Sequence, residues 1–150
     1  MDPQDELRKH LRPATLVGAA IVASLLVYLG LVEAVKLFLK PFHGFAAAGG
    51  SQPVRLAVFG AAAGAILLIL LIRPRLFRRD ARPDAAAGFG RLQRAALLVL
   101  ILGEVPAILG LGLFFVGGNA ADFYKLLFAS LVLTFINFPR RAAWEEWLKA

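Results

Sequence analysis

The chain has 150 residues, no cysteine, and 17 basic against 10 acidic side chains, for a formal charge of +7 at neutral pH. Hydrophobic residues make up 59% of it and mean hydropathy is +0.72, which excludes an ordinary water-soluble domain and points to an integral membrane protein. Without cysteine there are no disulfides, thiolate metal sites or cysteine nucleophiles. His10 and His43 stand alone without metal-site spacing, so neither a metal nor a cofactor is expected.

Four apolar runs, about 14–35, 54–72, 95–116 and 123–138, each approach the ~20 residues that a helical span requires. The expected fold is all-α: one membrane domain over residues 1–150, a four-helix bundle built from two transmembrane hairpins. The first run follows a basic flank (Arg8, Lys9, Arg12) but is longer than the apolar core of a secretory signal, so it reads as a retained helix. Ser24 falls about 18 Å along it from Arg12, at 1.5 Å per residue. Glu33 has Lys36 one turn away, the pattern of a solvated pair worth little. Tyr28 and Tyr124 suit an outer aromatic belt. The run then breaks up through Lys40-Pro41, Gly44, Gly49-Gly50 and Pro53.

In the second run Gly60 and Gly64 form a small-xxx-small face that admits another backbone closely. The stretch 73–94 carries seven arginines and reads as a cytoplasmic basic linker lying against anionic headgroups, flexible between Asp80 and Gly90 with room for helical turns.

The third run holds the most informative residue. Glu104 lies ten positions after Arg94, so about 15 Å into the hydrocarbon by the same helical rise. An unpaired carboxylate is poorly solvated there, and must be protonated, paired or in contact with water. Pro106 lacks an N–H and clashes with the carbonyl of Leu102, which loosens the helix beside the acid. Gly103, Ala107 and Gly110 repeat the small-residue packing device. The fourth run places Ser130, Thr134 and Asn137 on one face; if that stripe faces the third helix, its hydroxyls reach Glu104. Bonds to the carbonyl one turn back are the simpler use for Ser and Thr. Ser24, Glu104, Ser130, Thr134 and Pro106 therefore make up a candidate intramembrane ion or proton site. The tail 141–150 places Trp144 and Trp147 on one side of a short interfacial helix, anchored with Arg140 and Arg141.

Thirteen of the 17 Lys and Arg residues fall before the first run, in 73–94, or after the fourth; only Lys36, Lys40, Arg55 and Lys125 fall on the other side. The positive-inside rule then places both termini in the cytoplasm of a cell whose plasma (inner) membrane carries the protein. Nothing in the charge pattern resembles a nucleic-acid-binding motif. Both halves leave through an apolar residue, proline and arginine (Arg73-Pro74-Arg75, Phe138-Pro139-Arg140), either as a trace of duplication or as the common exit of helices toward the cytosol.

The segment Gly103-Glu104-Val105-Pro106-Ala107-Ile108-Leu109-Gly110-Leu111-Gly112-Leu113 resembles the carboxylate-bearing helix of the rotary ATPase proteolipid, or c subunit. In that family the acid carries a proton or sodium ion, and the resemblance implies a proton-binding role for Glu104. In that family the first helix packs on a dense glycine repeat, where this chain has only Gly18 and Gly30. The whole-chain pattern is also similar to small four-helix bacterial membrane proteins. Little of the chain lies outside the membrane, and no His cluster, paired Asp or Ser-His arrangement is present, so a non-enzymatic accessory or interaction component of a membrane complex is expected. The alternative is an oligomeric proton- or cation-conducting protein centred on Glu104. Both readings expect a homo- or hetero-oligomer.

Overall fold

The computed structural model describes residues 3–46, 52–76 and 85–140, and all of their regular structure is helical. Four helices follow in order: α1 (Pro3–Phe38), α2 (Gln52–Leu76), α3 (Ala85–Gly117) and α4 (Ala120–Asn137). Each contains a stretch long and apolar enough to cross a membrane: Leu11–Phe38, Gln52–Leu76, Gly90–Gly117 and Ala120–Asn137. The helices overrun the apolar runs because backbone hydrogen bonding does not stop where the hydrocarbon does. In particular α3 already begins at Ala85, so the second half of the expected flexible linker is helix, in keeping with its run of alanines. The tail 141–150, with Trp144, Trp147 and Arg141, lies outside the described residues.

α3 is the central helix: α4, α1 and α2 all pack on it, whereas α1 and α2 touch each other only in passing. The expected first hairpin is therefore not a packed pair. Its two helices are consecutive in sequence but lie against α3 separately, and only α3 and α4, joined by Gly118 and Asn119, form a close hairpin. α1 runs parallel to α3, with Gly18 near Leu100, Ser24 beside Glu104, and Phe42 against Phe114. α2 and α4 run the other way: Ile69 packs with Val99 and Leu133, while Arg55 reaches Asp122 at the opposite end. The start of α1 and the end of α4 consequently share one end of the bundle, where the Phe138 ring closes over Gly18.

The main core joins Ile21, Leu25 and Val32 of α1 with Leu100, Ala107 and Phe114 of α3 and Phe123 and Leu127 of α4. Between helices in lipid the gain comes from close fit and dispersion, since lipid tails are as apolar as leucine. Close fit requires small residues, and α3 supplies them. A Cβ on Gly110 would stand 2.9 Å from the Leu126 Cβ, and one on Gly103 would stand 3.6 Å from the Leu133 Cβ. Ala107 between them is fully buried.

At the end opposite the start of α1 the segment after α1 folds back over the end of α3. A helix leaves its last carbonyls without partners. Here the amides of Phe45 and Ala46 donate to the carbonyls of Phe115 and Val116, at 2.8 and 3.2 Å. Phe42 and Phe45 pack on Phe114 and Phe115. Gly44 (φ 85°) and Gly118 (φ 72°) make this possible: both adopt the left-handed conformation, and a Cβ on either would collide with the other strand's backbone. Asn119 then caps α4 by accepting from the Ala121 amide.

Candidate functional site

Glu104 is turned toward α1. Its Oε1 receives the Tyr28 hydroxyl at 2.9 Å and lies 2.5 Å from the Ser24 Oγ. Ser24 and Tyr28 are one helical turn apart and present their hydroxyls on one face of α1, so the parallel packing of α1 on α3 brings both to a single carboxyl oxygen. Ser24 Oγ also lies 2.8 Å from the carbonyl oxygen of Ile21. All these groups are partly buried.

The α4 stripe is used differently. Ser130 is fully buried, and its Oγ accepts the Ala107 amide at 2.9 Å instead of bonding Glu104. Pro106 explains this. A proline weakens the hydrogen-bond ladder around it, and although α3 continues through Pro106 as helix, a hydroxyl from the neighbouring helix bonds the amide that follows it. Thr134, one turn along, is fully buried with its Oγ1 unpartnered; Asn137 donates to the Leu133 carbonyl at 2.7 Å and leaves its Oδ1 unpartnered. Of the candidate site residues, Glu104 and Ser24 are thus brought together, Pro106 and Ser130 form an adjoining contact, and Thr134 joins neither.

Near the far end one polar grouping was not anticipated and another extends further than expected. Asp122, 1% exposed, takes two bonds from Arg55 of α2, Nε to Oδ2 at 2.7 Å and a terminal nitrogen to Oδ1 at 3.0 Å. Asn119 donates to it at 3.2 Å, and Lys125 approaches to 3.7 Å. Glu33 does pair with Lys36, at 3.0 Å and half exposed, but the pair also engages α4. Lys36 donates to the Tyr124 hydroxyl at 2.7 Å, and that hydroxyl donates to Glu33. Tyr124 thus ties α1 to α4. The available signal was the presence of opposite charges and a tyrosine in the segments expected to meet at that end.

The small-residue faces divide in the same way. Gly103, Ala107 and Gly110 of α3 are consumed by packing against α4. Gly60 and Gly64 of α2 are exposed, and nothing lies within 4 Å of a Cβ built on either. At the other end an open groove of about 250 Å³ on α1 is lined by Arg8, Leu11, Arg12, Thr15 and Leu16. Arg140 is exposed at that end. Among the described residues no three His, Asp or Glu side chains come close enough to share a metal ion.

By length and composition, the four helices define a small all-helical protein of the multi-pass membrane class. Compared with known proteins, the chain matches no family model, no curated protein and no solved structure.

Proposed function

We propose that the chain is a non-enzymatic accessory component of a complex in the cytoplasmic (inner) membrane, with both termini on the cytoplasmic side, and that α2 is the helix it offers to its partner. The supporting observation is the open Gly60–Gly64 face beside α3 glycines that are filled by α4. Of the residues of α2, only Ala62 and Ile69 are buried, so most of the helix is uncovered. The basic groove at Arg8 and Arg12 and the exposed Arg140 suit anionic lipid headgroups at the cytoplasmic face. Substituting Leu at Gly60 and Gly64, followed by mass measurement of native membrane particles, tests the reading. A hetero-complex that dissociates in this variant is the expected result; a monomer in the wild type argues against it.

A second reading is favoured by the Glu104 cluster: an oligomeric protein that conducts protons or cations through that carboxyl group, with Ser24 and Tyr28 as its hydroxyl partners. A homo-oligomer in the same particles, together with proton flux in vesicles that Glu104→Gln abolishes, is the outcome this reading requires.

A further inference from the structure

The arrangement of hydrogens around Ser24 carries an inference beyond either reading. Ser24 Oγ stands within hydrogen-bond distance of two acceptors, the Ile21 carbonyl at 2.8 Å and Glu104 Oε1 at 2.5 Å. A hydroxyl has one hydrogen to give. If Glu104 were ionised, Ile21 O, Ser24 Oγ and Glu104 Oε1 would share a single hydrogen between two contacts, and one of them would be a bare oxygen-oxygen approach. With a proton on Oε1 there are two hydrogens for two contacts. Glu104 then donates to Ser24, Ser24 donates to Ile21, and Oε1 still accepts from Tyr28.

The surroundings supply no charge to favour the ionised form. No charged residue lies between 12 and 33 on α1, between 55 and 73 on α2, between 125 and 140 on α4, or within nine positions before Glu104 or thirteen after it on α3. Tyr28 is the one other titratable group bonded to it among the described residues. An ion at this depth, without a countercharge, carries a desolvation cost that two hydroxyl donors offset only in part.

We infer that Glu104 binds one proton and serves as a hydrogen-bond donor, the first member of a directed chain from Glu104 to Ser24 to the Ile21 carbonyl that fastens α1 to α3. The acid is then a bridge between two helices, oriented by the acceptor that Ser24 presents, and Tyr28 positions it from the other side.

Solid-state carbon NMR and infrared spectroscopy of glutamate-labelled protein in phosphatidylcholine vesicles test this directly. At neutral pH one glutamate should show a protonated carboxyl signal that disappears in Glu104→Gln and persists in Glu33→Gln. Ser24→Ala should shift its carbonyl stretch to higher frequency, because the donated bond is lost, while Ser24→Thr should leave it in place. Adding sodium at constant pH should not remove it. If the wild type shows no protonated glutamate, the inference is overturned without recourse to any variant. A band unmoved by Ser24→Ala overturns the direction of the chain, and a band lost on adding sodium overturns the proton as the bound species.

Discussion

Arg55 in the first turn of α2 grips Asp122 in the first turn of α4 through two hydrogen bonds, although 67 residues separate them. α2 and α4 otherwise barely meet, since both lean on α3. This ion pair is therefore the direct polar link between them among the described residues. Asp122 is almost wholly buried, while Arg55 remains 39% exposed.

Removal of Arg55 alone should leave a buried carboxylate with only Asn119 and Lys125. A loss of stability is expected, smaller than for a fully buried pair because Arg55 is partly solvated. The double variant Arg55→Met, Asp122→Leu should be less destabilised than Arg55→Met, since it leaves no orphaned charge. Reversible unfolding in mixed micelles, followed by circular dichroism, measures both.

Ser130→Ala should cost about 1–3 kcal/mol, the penalty of leaving the Ala107 amide unsatisfied inside the bundle. In a Pro106→Ala background the helix can reclaim that amide, so the same substitution should cost clearly less. A double-mutant cycle gives the coupling; equal costs in both backgrounds would separate Ser130 from the proline.

Gly118→Ala should strain a left-handed residue, by about 1–3 kcal/mol, and push the loop off the end of α3. The amides of Phe45 and Ala46 should then exchange with solvent faster, because their acceptors are the carbonyls of Phe115 and Val116. Gly44→Ala disturbs the same contact, so the two substitutions together should cost less than their sum.

Reporter domains placed after Gly118 and after Ala150 should report opposite sides of the membrane, as the distribution of Lys and Arg implies. Finding both on one side would remove the four-span topology.

The spans were legible because hydropathy reads length and composition directly, and the shared depth of Ser24 and Glu104 followed from counting residues along two helices. The partner of Glu104 was less legible. Ser130 lies at a similar depth, and the choice between α1 and α4 depends on how each helix is rotated about its axis. The low contrast between apolar faces in lipid leaves that rotation unmarked in the sequence. Tyr28 fits an aromatic belt by type and position, and only the parallel packing of α1 on α3 turns its hydroxyl to the acid. Arg55 and Asp122 are lone charges in different segments, and no spacing rule joins residues so far apart. The proline was informative in another way: it marks where α3 must find an outside partner, without naming Ser130 as that partner.

Because α1 and α2 each lean on α3 and scarcely on each other, the first half of the chain has little to hold it together until the third helix has been made. Taken in order of synthesis, the two leading helices have few contacts to share before α3 joins them. The arrival of α3 gathers them both, and α4 follows after a link of two residues. Assembly of the bundle is therefore centred on its third helix.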